Sequence, residues 1–559
     1  MKVNEALADA LATEADGPIF GLMGDANMPV WGALVAAKRS RMDWSRHDGT
    51  AILMADGYAQ SSGRLGVATV TCGPGLANSA NALLTASRAG TPLAIFTGEY
   101  IDDGGKAGLQ ALNQRRFAAA CEADFKPLAR LDSLADDIAE GFYLARTRRR
   151  PVLLNMPQAL WEADLKWDWD YRPSTTFLPS QAHAPSAAAM AEVLQALAAA
   201  ERPVIVAGRG AIHADARAAL EQLGEHVGAL LATTLVAKGY FDGHAWDVGI
   251  CGSFSSAPTE ALMAEADFVL GVGASINFFT SEGGLLFPSA RVARIDTSPC
   301  TPTIGAVPGL HLQGDARKTA EALLSALRAR GGKREAFRTA ASRDVLATPV
   351  ELVPPPTDGI DPRALMRALS ASLPAGSQVV TGAGHFWSWP IAHLALGPGS
   401  RFLHTAAFGS IGLGLPFAIG AAVAQPERKT VLIEGDGSLL QAIQELHAAA
   451  EQGIALIVLV MNDSGYGAEV LKMGWKGRDA SDAQWRSPDY VAITTAFGGG
   501  GVRITSETEL AAAMRLATAA NGPFVIDARI SPTLVSDSYS RIFLGQPNRQ
   551  PLLRPVAKA

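Results

Sequence analysis

The sequence predicts an α/β protein of three domains, each an open parallel sheet covered by helices. Three observations predict it. Short apolar, β-branched runs recur along the chain, each followed by a glycine turn and an Ala/Leu-rich segment of helical period. Strands that are apolar on both faces and alternate with helices belong to parallel sheets covered on both sides. The length, 559 residues, suits about three domains at roughly 100–200 residues each. The composition also breaks twice, once over 161–190 (Pro173, Pro179, Pro185, little periodicity) and once over 329–361 (GGKRE, then PPP at 354–356). Both stretches read as linkers. The expected domains are therefore 1–165, 185–330 and 360–545.

Within the first domain the strand runs are GVATV (66–70) and TPLAIF (91–96). The second holds RPVIVAG (202–208) and ADFVLGVG (266–273), and the third TVLIEGDG (430–437) and IALIVLVMND (454–463). Open α/β sheets place ligands at glycine-rich turns after strands, and the first and third domains carry such turns. The middle one has only GRG (208–210) and GVG (271–273), for which tight strand-to-helix packing is the better reading than a nucleotide contact.

Composition removes several function classes. Lys plus Arg is 48 against 54 for Asp plus Glu, a net charge of −6, which is no footprint for nucleic-acid backbone. Any phosphate ligand must be held locally, by a metal or by backbone amides. Cys72, Cys121, Cys251 and Cys300 are scattered without a CxxC pair, so neither a zinc site nor a disulfide framework is indicated. The first residues, MKVNEALADALATEADGP, are acidic and helix-like and do not read as a secretory signal. The longest apolar run, Ile454 to Met461, is 8 residues, too short to span a bilayer. A cytoplasmic protein without a membrane partner is expected.

The most specific feature is IEGDGSLLQAIQELHAAAEQGIALIVLVMNDSGYG, residues 433–467. A strand ends at Gly435-Asp436-Gly437-Ser438, a helix follows, and the next strand ends at Asn462-Asp463-Ser464-Gly465. Asp436 and Asp463 are 27 residues apart, one βαβ unit, so both carboxylates stand at carboxyl ends of neighbouring parallel strands. Two hard oxygen ligands beside glycines suit Mg²⁺ or Ca²⁺ with a diphosphate; from spacing alone, two unrelated acidic turns remain an equal alternative.

GDGS followed at that distance by NDSGYG resembles the thiamin-diphosphate motif of the superfamily of acetolactate synthase, pyruvate and indolepyruvate decarboxylase and benzaldehyde lyase. The resemblance extends over nearly the whole chain. FGLMGDANMPVWGAL (20–34), RHDGTAILMADGYAQ (46–60) and VTCGPGLANSANALLTASRAGTPLAIFTGE (70–99) are similar to that family's pyrimidine-binding domain. RPVIVAG, TTLVAKG, ADFVLGVG and ARID are similar to its central domain, and FGSIGLGLPFAIGAA (408–422) to the segment ahead of its metal motif in the diphosphate-binding domain.

The resemblance implies thiamin diphosphate and Mg²⁺ as cofactors, with the metal on Asp436, the side chain of Asp463 and the carbonyl of Gly465. The family usually has Asn where this chain has Asp463; the added charge should make cofactor binding depend more steeply on the divalent ion. Gly384, His385, Phe386, Gly409, Ser410, Gly435, Gly437, Ser438, Tyr466 and Gly467 match positions around the cofactor. Ile411 matches the apolar residue that props it into a bent shape. Pro74 and Asn78 match residues lining its pyrimidine. Asp48 matches the carboxylate that meets the pyrimidine N1′, although the family norm is Glu, longer by roughly 1.5 Å; locally Asp48 also reads as a turn or helix-cap carboxylate. The family shares its sites between chains, so a homo-oligomer, dimer or dimer of dimers, is implied. FAD in the central domain is possible by analogy with acetolactate synthases but not indicated.

On the substrate side, Asp25 and Glu469 match paired acids of the decarboxylases, placed to deliver a proton after carbon dioxide departs. The decarboxylases' His-His pair is absent. LQALNQ (109–114) resembles instead the glutamine-bearing loop of acetolactate synthases and puts Gln110 in the pocket. His47, beside Asp48, is a further candidate with a structural alternative, and Trp387 and Trp389 suggest an aromatic wall or domain packing. The expected activity is C–C bond cleavage or formation on small 2-oxo acids or 2-hydroxy ketones. The alternatives are a 2-hydroxyacyl-CoA or oxalyl-CoA lyase and a catalytically silent, cofactor-binding paralogue.

Overall fold

The structure, a computed structural model, describes residues 1–100, 108–179, 181–299, 309–348 and 353–544. Cys300 lies outside the described residues, as do the last residues of the sequence.

Three six-stranded sheets form. The first contains β1 (Ile19–Gly21), β2 (Met42–Trp44), β3 (Gly66–Thr69), β4 (Leu93–Glu99), β5 (Asp124–Pro127) and β6 (Pro151–Pro157) in the order 2-1-3-4-6-5. The second contains β7 (Pro203–Ala207), β8 (Leu230–Thr233), β9 (Asp247–Ile250), β10 (Phe268–Val272), β11 (Arg291–Asp296) and β12 (Leu310–Gln313) in the order 12-11-10-7-8-9. The third contains β13 (Gln378–Thr381), β14 (Arg401–His404), β15 (Thr430–Gly435), β16 (Leu456–Asn462), β17 (Gly500–Ile504) and β18 (Pro523–Arg529) in the order 14-13-15-16-18-17. Pairing is parallel throughout the first two sheets and from β13 to β17 across the third. Every residue of β15 and β16 is buried, because helices cover both faces.

Each sheet reverses its winding near its middle: between β1 and β3, between β7 and β10, and between β13 and β15. Ligands of open α/β sheets bind at such reversals, outside the carboxyl ends of the strands. In the second sheet the two glycine turns meet there and consume each other. Gly208 donates its amide to Val272 O at 2.9 Å and Gly210 to Gly273 O at 3.0 Å, while a Cβ on Gly208 would stand 2.3 Å from Gly273 O. These glycines serve turn-on-turn packing.

The chain divides into two compact units. One comprises 1–178, 377–387 and 403–532, and the other 179–376, 388–402 and the residues from 533 onward. In the first unit the first and third sheets share a core that includes Phe20, Ile52, Met54, Phe417, Leu432 and Val458. Its centre is a contact between the helices Asp48–Ser62 and Gly414–Ala424. A Cβ on Gly57 would fall 1.9 Å from Phe417 O, and one on Gly420 1.8 Å from Met54 O, so the two helix backbones touch. The helix that carries Asp48 is thereby seated on the helix that follows the FGSIG turn.

Both stretches read as linkers carry more order than their prolines predict. Trp169 Nε1 donates to Asp9 Oδ2 at 2.9 Å and Tyr171 Oη to Glu14 Oε1 at 2.8 Å, strapping the first stretch onto the helix Val3–Glu14. In the second, the Thr339 hydroxyl accepts from Ser342 N at 3.1 Å and caps the helix Ala340–Leu346.

Candidate active site

The third sheet builds one cluster at the carboxyl ends of β13, β15 and β16. Asp436 directly follows β15 and Asp463 follows β16, with Gly435 in register opposite Met461. Asp436 is 1% exposed, and its Oδ2 has no hydrogen-bond partner among the described residues. Burial, then the neighbouring Asp463 charge, pushes the Asp436 carboxyl up to about 8; burial pushes Asp463 up to about 6. Two neighbouring carboxylates, one buried and one half-buried, are costly as anions, and a divalent cation between them would remove that cost. Among the described residues no group of three or more His, Cys, Asp or Glu side chains stands at metal-binding spacing. A cation here would draw on these two carboxylates and on backbone oxygen.

The loop after β16 is folded tightly around Asp463. Ser464 takes φ +62°, Tyr466 N donates to Ala483 O at 2.8 Å and Trp485 N to Ser464 O at 3.0 Å. A Cβ on Gly467 would lie 2.3 Å from Asp463 Oδ2, so a side chain there would push the carboxylate aside. Gly437 is closed in by the Tyr466 and Trp485 rings, which meet edge-on at 4.8 Å. Asn462 anchors the strand end, donating to Asp527 Oδ1 at 2.8 Å and accepting from Ser464 N at 3.1 Å.

The other predicted third-sheet residues join this cluster. Ser438 Oγ accepts from Gly412 N at 2.8 Å, tying the Gly409–Gly412 turn, with Ser410 and Ile411, to the acidic motif. Phe386 lies against Gly435, where a Cβ would approach its ring to 2.8 Å, and Gly384 takes φ +146° just before it. His385 sits beside Gly467, and burial lowers its imidazole to about 4, leaving it neutral at physiological pH. Glu469 stands exposed in the first turn of the helix Gly467–Trp475, 3.4 Å from Lys472 Nζ. Trp389 is 3% exposed and stacks on His393, a packing role, while Trp387 meets His404 edge-on.

A second cluster forms at the carboxyl ends of β1, β2, β3 and β4. Asp48 is the first residue of its helix and 7% exposed; Asn78 Nδ2 donates to its Oδ2 at 3.2 Å. Its Oδ1 is buried without a hydrogen-bond partner among the described residues, and a Cβ on Gly75 would stand 2.7 Å from it. The helix cap is His47, whose Nδ1 accepts from Gly49 N at 3.1 Å, so Asp48 is left free of capping. Pro74 opens the short helix Pro74–Ala77 behind Gly73, and the carbonyl of Gln110 presses on Gly73. The Cys72 thiol approaches Gln110 Oε1 at 3.8 Å. Asp25 is exposed nearby; burial first and then its charge raise the Tyr100 hydroxyl.

Asn81 joins the two clusters, donating through Nδ2 to Ser410 Oγ at 2.7 Å. Sequence reasoning passed over Asn81, Cys72, Tyr100, Trp485 and Asn462. The asparagines and Cys72 stood inside the quoted motifs, but only the fold shows which neighbour each one meets.

Both clusters stand at switch-point turns, one around buried Asp436 and half-buried Asp463 and the other around Asp48, and comparison with known proteins identifies the class as the thiamin-diphosphate enzymes. Residues 1–115 match the thiamine pyrophosphate enzyme N-terminal TPP binding domain, 190–323 its central domain and 382–528 its C-terminal TPP binding domain. The chain belongs to the thiamine pyrophosphate enzyme superfamily. Similar curated proteins include the acetolactate synthase large subunit of Parasynechococcus marenigrum, 29% identical, with 94% of this chain and 87% of that protein covered. The acetolactate synthase of Arthrospira platensis is 27% identical over 97% of this chain and 96% of its own length. The acetolactate synthase isozyme 2 large subunit of Escherichia coli is 27% identical over 93% and 94%. Among the described residues no helix is long and apolar enough to cross a membrane.

Proposed function

We propose that the protein is a Mg²⁺- and thiamin-diphosphate-dependent decarboxylase/carboligase acting on 2-oxo acids or 2-hydroxy ketones, in the manner of the acetolactate synthases it resembles. The observation that carries the reading is the Asp436–Asp463 pair at the ends of neighbouring strands, Asp436 buried with an orphaned Oδ2 and Asp463 half-buried beside it. The donor set fits the group: two carboxylates and the carbonyl of Gly465 for Mg²⁺, all hard oxygens. Gly435, Gly437 and Ser438, with Gly384, His385, Phe386, Gly409, Ser410, Tyr466 and Gly467, would surround the diphosphate end, and Ile411 would support the ring system. When bound, thiamin diphosphate supplies an acidic ring C–H whose loss leaves a carbon nucleophile for a substrate carbonyl.

The remaining work falls to this chain's side chains. Asp48, with Oδ2 held by Asn78 and Oδ1 free, would share a proton with the pyrimidine N1′ of a cofactor lined by Pro74 and held by a second copy of the chain. Asp25, Gln110, Glu469 and His47 would face the substrate, the acids moving a proton and Gln110 orienting a carbonyl. A homo-oligomer in the cytoplasm completes the reading.

Titration calorimetry with thiamin diphosphate, with and without Mg²⁺, followed by carbon dioxide and acetolactate assays on pyruvate, tests it. Cofactor binding only with the divalent ion, followed by turnover, is expected. Absence of binding with Mg²⁺ present would overturn the proposal. Binding without turnover across a panel of 2-oxo acids would establish the silent, cofactor-binding alternative, which the shortened carboxylate at Asp48 favours.

A further inference from the structure

The loop that delivers Asp48 does not stand by itself. Residues 44–50 are fastened, point by point, to the helix Glu445–Glu451 and the residue after it. Trp44 N donates to Gln452 Oε1 at 3.0 Å, and Gln452 Nε2 returns a bond to Trp44 O at 2.9 Å. Arg46 N donates to both carboxylate oxygens of Glu445 at 3.1 Å. Arg46 Nη2 lies 2.7 Å from His447 Nδ1, with its guanidinium 4.4 Å above the Trp44 ring. Thr50 Oγ1 lies 2.8 Å from Glu445 Oε1 and 2.7 Å from His47 O, and its one proton is shared between the two. Glu445 is fully buried, so its bonds are not shared with water. It thus grips the chain two residues before and two residues after Asp48.

We infer that Glu445 is a positioning residue for Asp48, setting through Arg46 N and the Thr50 hydroxyl where the Asp48 carboxylate stands. The inference rests on the proton-contact reading of Asp48 given above. A proton contact works at about 2.6–3.2 Å between heavy atoms, and small misplacements cost rate steeply. Aspartate reaches less far than glutamate, so the backbone carrying it must be held more closely than a longer side chain would need. Glu445 also lies nine residues after Asp436 on the same chain segment, so the strap holds the Asp48 loop and the acidic motif in one frame.

The test uses the full chain with Glu445→Gln and Thr50→Val, and Thr50→Ser as the conservative control. In cofactor-free protein, amide hydrogen exchange over 44–50 is expected to quicken about 10-fold in Glu445→Gln and Thr50→Val, while Thr50→Ser stays near the parent. With thiamin diphosphate and Mg²⁺, cofactor affinity is expected to hold while exchange of the cofactor's C2 proton slows about 10-fold in the same two variants. In an Asp48→Asn background, Glu445→Gln should slow it no further. Unchanged amide exchange over 44–50 would overturn the strap. Faster amide exchange with an unchanged C2 rate, or equal slowing with and without Asp48, would overturn the positioning role. If Asp48→Asn alone leaves the C2 rate untouched, the reading of Asp48 fails and the role of Glu445 with it, while the amide data still report the strap. If Glu445→Gln does not fold, Thr50→Val carries every arm.

Discussion

The Gly57→Ala substitution tests the frame on which the site is built. A Cβ there would stand 1.9 Å from the carbonyl oxygen of Phe417, against the 3.4 Å at which ordinary contact begins. The helices Asp48–Ser62 and Gly414–Ala424 would have to part by about 1.5 Å, and the oxygen cannot swing aside because it belongs to a helix backbone. Overpacking of a closed core costs typically 1–3 kcal/mol, occasionally more, and alanine returns about 0.5–1 kcal/mol of helix propensity. Because the oxygen cannot move, the upper end of that cost, about 3 kcal/mol, applies, and a net loss of about 2 kcal/mol follows, a factor of about 30 in the folded-to-unfolded ratio. Chemical denaturation followed by far-ultraviolet circular dichroism reads it. Gly32→Ala, in the helix Met28–Ala37 with open space around the new methyl, is the matched control and should gain up to about 1 kcal/mol. Gly57→Ala and Gly420→Ala both as stable as the parent would refute the close helix contact.

Three further outcomes are expected. Asp436→Ala should abolish Mg²⁺-dependent binding of thiamin diphosphate in calorimetry, whereas Asp463→Asn, which keeps an oxygen ligand and removes one charge, should bind at lower Mg²⁺ than the parent; tight binding by Asp436→Ala would remove the metal site. Ile411→Ala should lower turnover more than cofactor affinity, and equal activity with a lower melting temperature would leave Ile411 as core only. Burial raises Asp247 from 3.8 to about 6, so the fold favours its protonated form, and that contribution is lost as pH climbs from about 4 to 6. The stability of Asp247→Asn relative to the parent should therefore rise across that window by up to about 3 kcal/mol, and a difference independent of pH would refute the burial argument.

Much of the fold was legible because β-branched runs buried on both faces leave a continuous signal, and the acidic pair because one βαβ unit fixes its spacing. The supporting contacts were not. Arg46 and Glu445 meet across 399 residues of sequence, and no local pattern announces such a pair. His47 caps the Asp48 helix with a ring nitrogen, a role outside the usual Ser, Thr, Asp and Asn signal. The stretch 161–190 reads as a linker from its prolines, yet Trp169 and Tyr171 bind it down through single polar atoms at the ends of apolar rings.

These hidden contacts change the meaning of the most visible departure from the family pattern. Sequence alone measures Asp48 as one methylene short of glutamate, as though reach were the only variable. In the structure its Oδ2 is held by Asn78, its Oδ1 is free, and Glu445 bonds the Arg46 amide on one side and the Thr50 hydroxyl on the other. The carboxylate's orientation is therefore fixed, and its reach depends on where residues 45–50 are clamped as much as on side-chain length. A shorter acid on a loop clamped closer can make the same contact as a longer acid on a looser one. On that argument Asp48→Glu would crowd the pyrimidine and slow C2 proton exchange, and acceleration by the longer side chain would show that the clamp leaves the gap open.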